Sequence, residues 1–147
     1  MGVIAVNHEE TWRAEYGIET SANPNVVWSI FQDVRGWKTW NTGIEHIEID
    51  GPFAPGTWFT MKPPGQETLR SRLIEVRENQ CFVDETSVGP LTITVAHRIE
   101  SLGVGRTRIV YAAQANGPGA AEIGPAVASD FPEVLAALAK LAETRSA

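Results

Sequence analysis

Residues 123–141, Ile-Gly-Pro-Ala-Val-Ala-Ser-Asp-Phe-Pro-Glu-Val-Leu-Ala-Ala-Leu-Ala-Lys-Leu, decide the fold. Pro125 and Pro132 interrupt the segment, and Asp130 with Glu133 has the spacing of a capping pair at a fresh helix start. Yet Ile123, Val127, Phe131, Val134, Leu135, Leu138 and Leu141 keep one apolar stripe across both prolines, which two independently oriented helices have no reason to share. The spacing predicts one long helix, bent or locally unwound at the prolines.

Upstream of this helix the pattern has a period of two. Residues 11–21 set Trp12, Tyr16 and Ile18 against Arg13, Glu15 and Glu19, the alternation of a half-buried strand. Asn23 and Pro24 then form a helix start, followed by Val27, Ile30, Phe31 and Val34 at helical spacing. Gly36 is expected to stop that helix, and Arg35 to Gly43 to form a second stubby helix or turn carrying Trp37 and Trp40. Further strands are expected at 44–50, 57–62, 68–77, 80–87, 91–101 and 105–116. Gly51-Pro-Phe-Ala-Pro-Gly56, Lys62-Pro-Pro-Gly65 and Leu102-Gly-Val-Gly105 read as tight turns between them. This order is an α+β helix-grip fold: a curved antiparallel sheet of about seven strands wrapped around a long C-terminal helix, with two short helices after the first strand. The chain is expected to be a single domain over residues 1–147, with its core at about 11–145.

Composition narrows the function classes. The 147 residues are 43% hydrophobic and 20% charged, which fits a globular domain and not a disordered chain. Twelve Lys and Arg against 18 Asp and Glu leave a formal net charge of −6, so a nucleic-acid backbone would be repelled and no nucleic-acid partner is expected. The lone Cys81 excludes an internal disulfide and fits a reducing compartment. The first residues carry no basic segment, and Val6 stands where a myristoylation signal wants Ser or Thr, so a cytoplasmic location is expected. The longest apolar run, Val134 to Ala142, is interrupted by Lys140 and falls far short of the roughly 18 residues of a membrane span.

On residues 91–101, Leu91, Ile93, Val95, His97 and Ile99 share one register, and on 105–116 Ile109, Tyr111, Ala113 and Ala115 do the same. A short hairpin then sets Tyr111 opposite His97 or one pair along, both facing inward. An imidazole and a phenol placed together can exchange protons with an enolisable ligand. Equally, the two can satisfy each other or a water in a packed core. Asp84 or Glu85 offers a carboxylate, but alternation does not say which points inward, and Glu75 lies in a stretch that is apolar in both registers. Trp40, Phe59, Met61, Val95, Ile109, Phe131 and Leu135 are the positions expected to line a cavity in such a fold. No metal is expected, because His8, His46 and His97 lack paired ligand spacing. Nucleophile elbows are absent, Cys81 has no identifiable activating partner, and Gly117-Pro-Gly lacks the third glycine of a dinucleotide loop.

Several motifs are also familiar in their order. Ala22-Asn-Pro-Asn-Val-Val-Trp-Ser-Ile-Phe31, Trp37, Trp40-Asn41, Gly51-Pro-Phe-Ala-Pro-Gly-Thr57, Leu73-Ile-Glu-Val76, His97-Arg-Ile-Glu100, Gly105-Arg-Thr-Arg108 and the Gly117 to Leu141 helix run through most of the chain. With them the sequence resembles the START-like, SRPBCC or birch-pollen-allergen-like superfamily, and within it the bacterial polyketide cyclase/dehydrase-like family. Thr42 departs from the Pro that many relatives carry after Trp-Asn. The resemblance implies an internal cavity for a small hydrophobic, aromatic or polyketide-like molecule. It further implies, for an enzyme, cyclisation or dehydration without a cofactor, with His97 or Tyr111 moving a proton. The residues alone leave two alternatives open: a non-catalytic carrier or sensor of a hydrophobic metabolite, in which Tyr111 only orients the ligand, and a protein-interaction module resembling the START-like co-chaperones.

Overall fold

The structure is a computed structural model and describes residues 10–146. The amino-terminal stretch read for targeting signals, with Val6 and His8, lies outside the described residues.

Seven strands form one antiparallel sheet in the order β1-β7-β6-β5-β4-β3-β2. They are β1 (Thr11–Thr20), β2 (His46–Ile49), β3 (Trp58–Lys62), β4 (Leu69–Arg77), β5 (Cys81–Val88), β6 (Leu91–Gly103) and β7 (Arg106–Asn116). Only the β1–β7 pairing is non-local; every other neighbour is joined by a hairpin or short loop, as the Gly and Pro breaks require. Helix α1 (Pro24–Gln32) and a 3-10 helix (Val34–Thr39) follow β1, and α2 (Ala120–Val127) and α3 (Phe131–Ser146) close the chain. Helix α3 packs against β1, β7 and α1, so the sheet grips it mainly along its first and last strands.

Two sequence expectations need correction. Helix α1 ends at Gln32, not at Gly36, because Asp33 leaves helical geometry at φ −87° and ψ 73°. Gly36 sits inside the 3-10 helix, where a Cβ would run into the Asp33 carboxylate, and its N–H donates to the Asp33 carbonyl at 3.0 Å. Its role is close approach, not termination. The carboxy-terminal helix is locally unwound at residues 128–130: Pro132 has no N–H to donate to the Ala128 carbonyl four residues back, and that carbonyl accepts from the Phe131 N–H at 3.1 Å instead. The stripe continues through buried Val134, Leu135 and Leu138, but Ile123 falls off it and is 41% exposed.

Ile123 is displaced because α2 turns a different face to the sheet. Gly124 lies directly against the Trp12 ring of β1, where any Cβ would overlap the indole. Gly124→Ala improves helix propensity yet is expected to lower stability by about 1–3 kcal/mol through this overlap. Urea unfolding checks it; a variant as stable as the parent would show that Trp12 gives way freely.

Most of the core is one cluster centred on Phe31, Phe59, Phe82, Leu73, Ile109, Leu135 and Leu138. A smaller one joins Leu91, Ile93, Val95, Ala113, Ala115 and Ala120 beneath Trp12. Phe131, the first residue of α3, packs against both.

Candidate functional site on the inner face of the sheet

The hairpin between β6 and β7 turns through Val104 and Gly105, with an irregularity between Ser101 and Gly103. That register sets His97 directly opposite Tyr111. Both are buried, and their rings meet edge to face with centroids 4.5 Å apart. They do not hydrogen-bond each other. His97 instead stacks on Phe82 at 3.9 Å with the rings 7° from parallel, and its Nδ1 lies 3.3 Å from the Phe82 carbonyl, as an N–H donor there would. Burial in this aromatic setting pulls the imidazole down to about 3, so the ring stays neutral at physiological pH.

Strand β5 carries the group whose orientation alternation left open. Asp84 pairs with Val95 on β6 and Leu73 on β4, both inward residues, so its carboxyl faces inward. Glu85 faces outward beside Arg72 at 3.6 Å. Asp84 keeps some accessible surface, yet the protein around it pushes its carboxyl up from 3.8 to about 7 by desolvation. Among the described residues neither Asp84 nor the Tyr111 hydroxyl makes a side-chain hydrogen bond. Burial raises the Tyr111 phenol well above its ordinary range, and the charges of Asp84 and Asp130 add to this. Tyr111 is therefore a neutral phenol, able to donate or accept a hydrogen bond.

Asp130 lies in the unwound turn between α2 and α3. Its carboxylate sits over Gly43, where a Cβ would come within 2.7 Å of Oδ2, and Asn41 Oδ1 accepts from the Gly43 N–H at 2.9 Å. Desolvation raises the Asp130 carboxyl, with Glu133 contributing.

Glu75 faces outward. A bulge between Leu73 and Glu75 turns Ile74 into an extra, exposed residue, and Glu75 pairs with Arg77 at 2.7 Å on the outer surface. Burial and the neighbouring Glu75 both raise the Cys81 thiol, the opposite of nucleophile activation.

Of the positions expected to line a cavity, Val95 and Phe131 lie on the inner face with the His97–Tyr111 pair, Phe131 meeting Tyr111 at 5.4 Å. Phe59, Ile109 and Leu135 are instead fully packed core, and Trp40 and Met61 lie partly buried against it. Two depressions are open at the surface. One of about 450 Å³ lies on the outer face between Arg13, Thr94, Ala96 and Ala112, and one of about 370 Å³ lies between Trp28, Gln32, Phe53 and Glu78. Neither touches Asp84, His97 or Tyr111. Among the described residues no set of three or more His, Cys, Asp or Glu is placed to hold a metal, and no helix is long and apolar enough to cross a membrane. Sequence reading passed over Asp130 as a site residue; the only local signal was its place between two prolines, three residues before Glu133.

A curled antiparallel sheet closed on a carboxy-terminal helix, with few polar groups on an aromatic inner face, defines the SRPBCC class. Solved structures bear out the architecture. A norcoclaurine synthase point mutant from Thalictrum flavum, in complex with a transition-state analogue, is similar at TM-score 0.80 and 14% identity, with 97% of this chain and 100% of that one covered. An aromatase/cyclase from a Streptomyces species is similar at TM-score 0.80 and 18% identity, covering 92% of this chain and 96% of the other. A hypothetical protein from Helicobacter pylori is similar at TM-score 0.69 and 16% identity, covering 90% of this chain and 88% of that one. No curated protein matches the chain. The chain belongs to the polyketide cyclase/dehydrase and lipid transport family, whose pattern matches residues 11–143.

Proposed function

We propose that this protein binds one small, largely apolar aromatic molecule between the inner face of β5–β7 and the start of α3. There it catalyses a cofactor-free proton transfer that cyclises or dehydrates the molecule. The reading is carried by Asp84 on β5 and Tyr111 on β7, inward on the same face on either side of β6 and joined by no hydrogen bond to another side chain among the described residues. A carboxyl near 7 can take a proton from carbon and return it to a departing hydroxyl at neutral pH. Tyr111 holds the reacting oxygen, and His97, neutral and fixed by its stack on Phe82, positions the Tyr111 ring. The proton role expected of His97 thus passes to Asp84, because an imidazole at about 3 cannot share a proton at neutral pH. Family membership and the aromatase/cyclase neighbour support the reaction class.

The test begins with a tryptophan-fluorescence titration against polycyclic phenols, quinones and alkyl chains, with equilibrium dialysis for stoichiometry. Saturable one-to-one binding of an aromatic class is expected. For a compound that is turned over, Asp84→Asn should retain binding and lose about 100-fold or more in turnover, the usual range for a general acid–base group. His97→Gln should keep most of it. Wild-type turnover in Asp84→Asn, or no saturable ligand in the panel, would overturn the reading; binding without turnover would make the protein a carrier.

A further inference from the structure

Charge is distributed unevenly between the two faces of the sheet. Every lysine and arginine on the strands occupies an outward register, and most meet acidic partners there: Lys62 with Glu45 at 2.9 Å, Arg70 with Asp50 at 2.9 Å, Arg98 with Glu15 at 3.1 Å and Arg106 with Glu19 at 3.1 Å. Inward, the titratable groups on the strands are Tyr16, Asp84, His97 and Tyr111, with Asp130 added from the turn before α3. No cation faces them among the described strands. A buried carboxylate without a partner is costly, and here nothing on the inner face offsets Asp84.

An acidic pair alone does not make a site, but Tyr111 adds an independent mark. Tyr111 is 5% exposed as a residue, its hydroxyl makes no hydrogen bond to another of the described residues, and it lies within electrostatic reach of both Asp84 and Asp130. Above it, Phe131 meets Tyr111 at 5.4 Å and Tyr16 at 5.7 Å, both edge to face. Aromatic faces beside carboxylates favour an organic cation and disfavour an anion.

We propose that the ligand of the inner face carries a protonated amine, whose ammonium group ion-pairs with Asp84 and donates a hydrogen bond to the Tyr111 hydroxyl oxygen. Its aromatic body lies on Phe131 and Tyr16, and Asp130 draws the cation toward the site from the turn. This rests on the inner-face binding reading above, not on the proton transfer assigned to Asp84, since an ammonium paired with Asp84 holds its carboxylate ionised. A neutral ligand of the same shape leaves the Asp84 charge uncompensated, and an anionic one is repelled.

Naphthylethylamine and naphthylethanol, alike in shape and different in charge, test the assignment by equilibrium dialysis at pH 8 with the wild type, Asp84→Asn and Asp130→Asn. The amine is expected to bind about 10-fold more tightly than the alcohol, the worth of one charge-assisted hydrogen bond. In Asp84→Asn the preference should shrink to within about twofold, the amine binding more weakly and the alcohol at least as tightly as to the wild type. Asp130→Asn should reduce it by a smaller factor. Equal affinities in the wild type, or a tighter alcohol, would overturn the ammonium proposal and leave inner-face binding standing. A preference undiminished in Asp84→Asn would overturn the assignment to Asp84. Failure of both probes to bind would overturn the two readings together.

Discussion

Phe82→Ala is expected to cost about 3–5 kcal/mol of stability, the range for deleting a fully buried aromatic ring. Phe82 is 1% exposed and touches four other rings: Phe31 at 5.0 Å, Phe53 at 5.2 Å, Trp37 at 5.6 Å and His97 at 3.9 Å. These partners come from α1, the 3-10 helix, the loop before β3 and strand β6, so the cavity cannot close by moving one element. Edge-to-face and stacked contacts are lost together with the apolar burial. A second effect follows at the site. Without the ring that covers it, His97 gains water, and its imidazole should rise from about 3 back toward 6.5. Urea unfolding reads the first effect and histidine NMR titration the second. A loss below about 1 kcal/mol would mean that the neighbours collapse into the space, against the usual partial relaxation.

The parts of this architecture legible in the sequence are those where one strand face is strictly apolar. In β1, β6 and β7 the alternation places Trp12, Tyr16, His97 and Tyr111 inward, and a short Gly-containing hairpin then fixes His97 opposite Tyr111. Strands β4 and β5 were not legible in the same way. Leu73, Ile74 and Val76 look apolar in both registers because Ile74 is a bulge, and a bulge has no sequence signal when its neighbours are equally apolar. The direction of Asp84 is set by its partners Leu73 and Val95, and such pairing is tertiary information. Gly36 shows the opposite failure. A local signal for ending a helix was present, but the glycine serves the Asp33 side chain instead. The desolvation that moves Asp84 and His97 in opposite directions likewise depends on what packs around them, which no residue-by-residue reading contains.

Those opposite shifts lead to the second large effect: Asp84→Asn is expected to stabilise the protein at pH 8 by as much as about 4 kcal/mol, the free-energy equivalent of a carboxyl near 3.8 when unfolded and at about 7 when folded. Between those values the folded chain holds a proton on Asp84 that the unfolded chain has released, so stability falls as pH rises through this window. Above about 7 the folded protein carries the full cost of an ionised, unpaired carboxylate; below 3.8 both states are protonated and the cost vanishes. The gain from Asn should therefore be near zero at acid pH, grow from about pH 4 to 7, and level off. His97 works in reverse, since its imidazole is protonated below 6.5 only when the chain unfolds, so acid weakens the fold down to about 3. From these two groups the wild-type curve is flat between about pH 4 and 6.5, whereas the Asp84→Asn curve loses about 1.4 kcal/mol per pH unit on acidification. Urea unfolding from pH 4 to 8 distinguishes them. A variant no more stable than wild type at pH 8 would mean that Asp84 ionises there without penalty, and with it would go the basis for a carboxyl poised near neutrality. A large gain, accompanied by loss of turnover, is the pattern of a group retained for chemistry at the expense of the fold.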